Sequence, residues 1–354
     1  MDIKIDKKLI TRLLTILPPL LGIVLFTYII KYSGIKAVPL RIPLFQGLTA
    51  YFSLILLGFT YIKNRQNVIG NKIVIILFLI MLFPILFYVY NGLKLDITVI
   101  FVVLQFFASI ILYLTIVRGK MIQYLLFACV NSIVMPLSLA LNEIALVILC
   151  FCLIIIFIYL FLYNRHKFGH FNFEDSGLNV IKSIFFQSPL IILPFFDFKI
   201  AEIIGRESYS NYVLYYKYIN GIIVLLFSYK QLNLTFSGEL SKKKRIIFEL
   251  IFILFALFSC ILLGNIYSLL ISIALYSIGV NLCSLLIRNA LLSGVPFYYT
   301  LIGFFSTIIY SITIFNCGSF ISLSNSLFIV LMFISTLIPA LFNYFKSREI
   351  SDMS

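Results

Sequence analysis

Apolar runs of about twenty residues recur along the whole chain, separated by short polar joints. A helix of that length matches the hydrocarbon thickness of a lipid bilayer. Hydrophobic residues make up 62% of the 354 residues and charged residues only 11%, whereas about a quarter of a typical soluble domain is charged. The pattern therefore predicts an all-α integral membrane protein that crosses the bilayer many times.

Windows of about 19 residues, bounded by charged residues, glycine, proline or asparagine, predict twelve transmembrane spans. The predicted spans cover residues 13–30, 43–62, 73–90, 97–117, 121–141, 144–163, 178–198, 209–229, 246–264, 268–287, 296–315 and 321–345. The first span is long enough to cross the bilayer and lacks a small-residue cleavage pattern, so it is predicted to be a retained helix and not a signal peptide.

The distribution of lysine and arginine predicts the orientation of the spans. Nineteen of the 27 cations fall in the N-terminal segment and the even-numbered joints, and six fall in the opposite joints. The positive-inside rule then places both termini in the cytoplasm. The net charge of +14 is interpreted as this topology signal and not as a nucleic-acid-binding surface.

The two halves of the chain resemble each other. Spans four and five, like spans ten and eleven, consist of an apolar run, a basic residue near its end (Arg118 or Arg288), a glycine and an aromatic restart. Such a repeat predicts two six-helix lobes, residues 1–170 and 171–354, with parallel topology and a substrate path between them.

Three charges fall at membrane depth: Lys182, Asp197 and Lys217. Because a charge in hydrocarbon is costly, each is a candidate functional residue. Lys217 lies roughly 12 Å inside its span, too deep to reach the interface easily. It is interpreted either as an anion-binding group or as the partner of Glu202 or Asp197 in a structural pair. Asp197 either lines the outer mouth of a path or reaches headgroup water beside Lys199.

Other cations have two interpretations each. Arg118 and Arg288 close equivalent spans on the cytoplasmic side, where they would form a basic funnel for an anionic headgroup or act only as topology signals. Lys31, Lys36 and Arg41 lie in the first outer loop, against the positive-inside rule. They mark an anion exit path, or a long loop that tolerates charge.

Enzymatic and metal-binding signatures are weak. His166 and His170 have the spacing of a helical metal pair, but they lie in a loop rich in phenylalanine and glycine, so no metal or other cofactor is expected. The six cysteines lack metal-ligand spacing and are interpreted as buried apolar residues. Glu249 follows the basic run at 242–245 and is predicted to form a salt bridge with it.

The stretch around spans seven and eight resembles a known family. Asp197 is followed by KIAEIIG at 199–205, a polar link and YVLYYKYINGIIVLL at 212–226. This arrangement resembles the start of the second half of the bacterial polysaccharide flippases of the multidrug/oligosaccharidyl-lipid/polysaccharide exporter superfamily. The resemblance places the family's aspartate, link glycine, aromatic residue and lysine as follows: Asp197, Gly205, Tyr215 and Lys217. Arg206 departs from the pattern, because a small or acidic residue is more usual there.

The resemblance implies a transporter in the bacterial inner membrane and not an enzyme. Its cargo would be an undecaprenyl-diphosphate-linked oligosaccharide, carried to the outer leaflet for O-antigen or capsule assembly by rocking of the two lobes. Membrane lipid, a polysaccharide polymerase and a chain-length regulator are its expected partners. No nucleic acid is expected.

Three other functions fit the sequence less well. An oligosaccharide polymerase would carry a large outer loop with catalytic arginines, and no predicted outer loop exceeds about a dozen residues. A drug or cation antiporter of the same superfamily would need buried acidic residues in spans one or seven, where only Asp197 is found. A membrane acyltransferase would need a histidine within a span, and both histidines lie in a loop.

Overall fold

The computed structural model describes a large part of the chain, and all of its regular structure is helical. The described residues are 7–33, 51–52, 55, 81–87, 89–90, 95–117, 121–140, 155, 176–193, 203, 206–237, 240–265, 268–292, 297–338 and 340–341. Helical structure is what a bilayer requires, because an α-helix satisfies every backbone polar group within its own segment.

Nine long helices lie within the described ranges and are numbered here in chain order. They are α1 (Lys7–Ser33), α2 (Leu95–Val117), α3 (Met121–Ala140), α4 (Ser176–Ile192), α5 (Arg206–Ser237), α6 (Lys242–Asn265), α7 (Leu269–Leu292), α8 (Phe297–Asn316) and α9 (Phe320–Met332), the last continued by a π-helical turn (Phe333–Leu337).

Three helical segments of the described part are long and apolar enough to cross a membrane: Lys243–Asn265, Leu269–Ala290 and Phe320–Leu337. Their burial differs. Only 22% of the apolar window of the first is buried inside the protein, against 61% of the second and 50% of the third. An apolar helix exposed on most of its surface suits contact with lipid. The protein is therefore a multi-pass membrane protein in which α6 is peripheral and α7 central.

The chain divides into two compact units, one formed by Met1–Val180 with Leu193–Phe198 and the other by Ile181–Ile192 with Lys199–Ser354. In the first unit, α3 packs closely on α1 and also contacts α2. A Cβ added at Gly22 of α1 would lie 3.7 Å from the carbonyl oxygen of Ser132 in α3, which is ordinary van der Waals contact. The small residue at 22 allows α1 to approach α3 at this point.

In the second unit, α5, α7 and α9 run in the same direction. Contacts between α5 and α7 advance along both helices, from the ring pair Tyr216 and Tyr276 to the amide pair Gln231 and Asn281. From α7 to α9 the order is likewise Tyr276 on Phe320, then Cys283 on Leu331. Parallel α5, α7 and α9 agree with spans that alternate in direction, because these helices correspond to predicted spans eight, ten and twelve.

Helices α4 and α8 also run parallel and nearly in register. The Thr300 hydroxyl donates to the carbonyl of Lys182, and the Ser188 hydroxyl contacts both the Gly303 carbonyl and the Thr307 hydroxyl. A Cβ at Gly303 would overlap the carbonyl oxygen of Phe185. The absence of a side chain at 303 is therefore a condition for the close approach of these helices, as at many membrane helix contacts.

Two helix ends differ from the predicted spans. Helix α4 ends at Ile192, short of the predicted 198, and Pro194 explains this because the residue before a proline is disfavoured in α-helical conformation. Helix α5 continues eight residues past the predicted end at 229. It ends at Ser237, directly before Gly238 in the sequence, where glycine is the usual residue after a helix.

The last predicted span, 321–345, changes from an α-helix to a π-helical turn partway along its length. The α-helix ends at Met332 and the chain continues in a π-helical turn, in which the backbone N–H of Ile338 donates to the carbonyl of Phe333. Pro339 follows in the sequence. A proline ring would clash with the carbonyl four residues earlier in a regular α-helix, which accounts for the wider turn.

The predicted salt bridge of Glu249 is confirmed, since Nε of Arg245 lies 2.8 Å from Oε1 of Glu249 one turn along α6. Predicted spans two and six lie mostly outside the described residues, and half of span three does. The division into lobes 1–170 and 171–354 as parallel repeats stays a prediction.

Candidate functional site: a polar seam between two helices

The candidate site lies where α5 packs against α7. At the N-terminal ends of these helices the contact is aromatic. Tyr212 stacks on Tyr216 with ring centroids 5.9 Å apart, and Tyr276 and Phe320 complete the cluster. Such ring pairs stabilise a packed contact beyond their buried area. This end of the α5–α7 contact is therefore an aromatic cluster.

Further along, the contact between α5 and α7 becomes polar. Gln231 Nε2 donates to Asn281 Oδ1 at 3.3 Å, and Asn281 Nδ2 donates to Asn220 Oδ1 at 3.5 Å and to the carbonyl of Ser277 at 2.8 Å. Asn281 is buried. One amide of α7 thus joins two amides of α5 that are eleven positions apart in sequence. Amides of this kind hold membrane helices together, because hydrocarbon offers no alternative partner.

Four polar residues of α7 share one face. Ser277, Asn281, Ser284 and Arg288 are separated by four, three and four positions, the spacing of a single stripe on an α-helix. Lys217, Asn220, Ser228 and Gln231 form the corresponding stripe on α5. We call these eight residues the polar seam.

The seam contains buried polar atoms without partners. Nε of Arg288 and Oγ of Ser277 are inaccessible to solvent and have no hydrogen-bond partner among the described residues. A buried, unsatisfied polar group costs about 1–3 kcal/mol, and more when it is charged. Outside the seam, Oγ of Ser109, Oγ of Ser259 and Oδ1 of Asn325 are buried in the same way, so this feature is not confined to the seam.

The polar seam ends near the joint between α5 and α6. The backbone N–H of Leu240 donates to Oδ1 of Asn289 at 2.9 Å, so this buried amide holds the start of the α6 segment against the last turns of α7. Arg288 precedes Asn289 and lies within α7, which continues to Leu292. The sequence placed the end of this span at 287. Arg288 is therefore part of the helix and not of the following joint.

The seam offers uncharged amide and hydroxyl groups for hydrogen bonding, and a cation lies toward each end, Lys217 at one and Arg288 at the other. Side-chain amides both donate and accept, which suits hydroxyl-rich ligands. Lysine and arginine bind phosphate or carboxylate oxygens. No carboxylate belongs to the seam as defined. The arrangement therefore favours a polar or anionic ligand over a cation.

The sequence-predicted site residues fall in several places. Lys217 and Arg288 belong to the seam, and both are partly buried. Lys182 is partly buried in α4, where its carbonyl accepts from Thr300. Lys31 is exposed in the last turn of α1, and Tyr215 is exposed on α5, away from the stacked Tyr212 and Tyr216. Two of the predicted residues thus lie on the polar stripes of α5 and α7, toward opposite ends, and these other three lie elsewhere.

Three predicted site residues, Asp197, Arg118 and Arg41, lie outside the described residues. The same holds for the His166 and His170 pair. In the part of the chain that the structure describes, no group of three or more metal-binding side chains is found. Cys129 and Cys283 are buried, whereas Cys260 and Cys317 are partly exposed.

Sequence reasoning missed the amides Asn220, Gln231 and Asn281. Their signal was present as polar residues at three- and four-residue spacing within apolar spans. The sequence-based prediction favoured charged residues because the free-energy cost of moving a charge into the bilayer is larger. An uncharged amide in a span is cheaper, and only its contacts distinguish a bridging residue from one that bonds its own helix.

Comparisons of the chain with protein-family models, with curated proteins and with solved structures found no match.

Proposed function

We propose that this chain is a transporter that moves an undecaprenyl-diphosphate-linked oligosaccharide from the inner to the outer leaflet of the bacterial inner membrane. Its product would be used to assemble a surface polysaccharide, O-antigen or capsule. The observation that carries the proposal is the polar seam, in which Asn281 joins Gln231 and Asn220 inside a bundle of apolar helices.

The seam supports this cargo through its composition. An oligosaccharide presents many hydroxyl groups, which the amide groups of Asn220 and Gln231 match in chemistry, while Asn281 joins these two residues. The diphosphate presents negative charge, for which Lys217 and Arg288 are suited. The isoprenoid tail requires no polar site, because it remains in lipid while the headgroup moves.

Membrane topology is part of the proposal. Twelve spans in two six-helix lobes, with both termini in the cytoplasm, would place the aromatic end of α5 and α7 toward the outside. Arg288 would then lie toward the cytoplasm, where the cargo is made. A polymerase that joins the exported units and a chain-length regulator are the proposed partners, and no cofactor is needed for the movement itself.

The proposal competes with two alternatives. A drug or cation antiporter is disfavoured because the seam carries amides and cations where such a protein would use carboxylates for ion coupling. A polysaccharide polymerase would act on units that have already crossed the membrane. When a transporter is absent, single lipid-linked units accumulate in the cytoplasmic leaflet. When a polymerase is absent, they accumulate in the outer leaflet.

The test is a deletion strain of the organism of origin, complemented with wild-type protein or with Asn281→Leu. We expect deletion to abolish surface polymer and to trap lipid-linked oligosaccharide in the cytoplasmic leaflet, as assayed by a membrane-impermeant glycosidase on intact and inverted vesicles. Asn316→Leu is the matched control, since within the described part of the chain the Asn316 amide bonds only the Ile312 carbonyl of its own helix. Single units exposed on the outer face of the deletion strain would contradict transport and favour the polymerase.

A further inference from the structure

Lys230 of α5 and Lys244 of α6 lie beside the same aromatic ring. The ammonium group of Lys230 lies 4.8 Å from the centroid of the Phe248 ring, which is a cation–π contact between two helices. Lys244 precedes Phe248 by four positions, one turn along the same face of α6. Both lysines are exposed on the protein surface. Two cationic side chains from different helices therefore flank one ring.

Carboxylates are scarce around these lysines. Residues 230–249 contain five cations and two carboxylates. One of the carboxylates, Glu249, is paired with Arg245 at 2.8 Å, and no ion pair of Lys230 or Lys244 occurs within the described part of the chain. Like charges on one surface repel each other unless a counter-ion offsets them. The surface at the start of α6 is therefore suited to an anion.

Exposed apolar side chains continue from each lysine along its own helix, at four-residue spacing on α5 and at seven-residue spacing on α6. They are Leu226 and Ile222 on α5, and Ile251 and Phe258 on α6. Residues at these spacings share one face of a helix. Phe258 lies fourteen positions beyond Lys244, about 21 Å along the axis, whereas one leaflet contributes roughly half of a hydrocarbon core about 30 Å thick. The row on α6 is thus long enough for the acyl chain of a lipid.

The joint between α5 and α6 lies at the lysine end of both rows. Helix α5 runs toward this joint and α6 runs away from it, so both rows extend from the lysines in the same direction. Both helices pack on α7, but they make few close backbone contacts with each other. The long side chains of Lys230 and Phe248 bridge them at this end. Two apolar rows with cations at one end match a phospholipid, which has two acyl chains and a phosphate headgroup.

We propose that this surface of α5 and α6 binds an anionic phospholipid of the bilayer, of the phosphatidylglycerol type. The phosphate lies between Lys230 and Lys244, and the acyl chains lie along the two apolar rows. The surplus of positive charge selects an anionic headgroup over a zwitterionic one. The apolar rows select a lipid over a soluble phosphate. The site lies outside the polar seam, and it does not depend on the cargo or on transport.

The experiment measures lipid binding to the purified full-length protein in detergent by native mass spectrometry. The probes are phosphatidylglycerol, phosphatidylcholine with the same acyl chains, and glycerol 3-phosphate, which carries the phosphate without the chains. We expect a Kd for phosphatidylglycerol at least fivefold lower than for phosphatidylcholine, and no binding of glycerol 3-phosphate at the same concentrations. Lys230→Gln and Lys244→Gln should each raise the Kd for phosphatidylglycerol about fivefold, because each removes one cation from the headgroup.

Lys243→Gln is the matched control. Lys243 is exposed and adjacent to Lys244 in the sequence, but it precedes Phe248 by five positions and so does not lie next to that ring. Its Kd for phosphatidylglycerol should stay within twofold of wild type. Phe248→Leu should weaken binding as Lys230→Gln does, because the ring that holds the Lys230 ammonium group is removed.

Several outcomes would overturn the proposal. Equal affinity for the two phospholipids would remove the selection by charge, and glycerol 3-phosphate binding as tightly as phosphatidylglycerol would make the ligand a soluble phosphate. An equal loss of affinity in Lys243→Gln would replace the site by diffuse attraction to the basic run. A dimer whose formation excludes phosphatidylglycerol would assign the apolar rows to a second copy of the chain.

A measurement on the wild-type protein covers the case in which the glutamine variants unfold in detergent. Phosphatidylglycerol with a diazirine in its acyl chain is photocrosslinked to the protein, and the labelled peptides are identified by mass spectrometry. We expect more label on residues 251–258 of α6 than on residues 301–315 of α8, which also carry exposed apolar side chains. A phosphatidylcholine analogue should label the two helices equally. Equal labelling by the phosphatidylglycerol analogue would overturn the proposal.

Discussion

Asn281 of α7 and Gln231 of α5 bring their side-chain amides to 3.3 Å although fifty positions of sequence separate them. Asn281 accepts this bond and donates two others, to Asn220 and to the Ser277 carbonyl. Because this buried amide has three hydrogen-bond partners, its neighbours determine its position and orientation. It links the central helix of the second unit to the long helix that carries Lys217.

This link predicts a measurable coupling. Asn281→Leu and Gln231→Leu should each lower the free energy of unfolding in bicelles. The double variant should lose less than the sum of the two by roughly 0.6 kcal/mol, the typical strength of a side-chain hydrogen bond between membrane helices. Additive losses in this double-mutant cycle would mean that the two amides do not interact in the membrane.

Gly303 predicts a steric effect. A Cβ at this position would overlap the carbonyl of Phe185, so Gly303→Ala should force α4 and α8 apart and destabilise the protein by about 1–3 kcal/mol. Gly264→Ala is the control, because nothing lies within 4 Å of its added Cβ. Thermal unfolding in detergent should show a lower midpoint for the first variant and an unchanged or higher midpoint for the second. Equal unfolding midpoints for the two variants would show that α4 and α8 do not approach closely at Gly303.

Removal of the Lys217 amino group is predicted to abolish function without lowering the amount of protein in the membrane. Lys217→Ala should abolish surface polysaccharide while membrane levels stay normal, and Lys217→Arg should retain part of it, because a cation is kept at the same depth. Lys243→Ala, at an exposed position near the start of α6, is the control and should leave the polymer intact. Immunoblots of surface polymer and membrane fractions measure both quantities. Normal polymer in the Lys217→Ala strain would remove this lysine from the mechanism. A milder defect is expected for Asp197→Asn.

The proposed orientation predicts the accessibility of the two ends of α6. In a background with every cysteine replaced by alanine, Asn265→Cys should react with a membrane-impermeant maleimide on intact spheroplasts. Ser241→Cys should react only after permeabilisation, because the basic start of α6 is placed in the cytoplasm. Leu254→Cys, exposed midway along the helix, should react poorly in both conditions because lipid surrounds it. The reverse labelling pattern would invert the topology.

The sequence by itself determined what depends on local spacing. Apolar runs of bilayer length predicted helices close to α2, α3 and α8, since hydropathy acts residue by residue along the chain. The pair of Arg245 and Glu249 was also predictable, because two residues four positions apart on a helix are neighbours whatever else the chain does.

Which polar residues meet depends on how the helices pack together. In the sequence, Asn281 looks like any other amide in an apolar span, and its role depends on the packing of α5 against α7. Gly303 likewise looks like any other small residue, and its role depends on the packing of α4 against α8. The same packing buries Nε of Arg288 without a hydrogen-bond partner among the described residues. The contacts between α5 and α7 and between α4 and α8 join positions 50 to 119 apart in sequence, so they depend on how helix faces pack and not on the periodicity within any one helix.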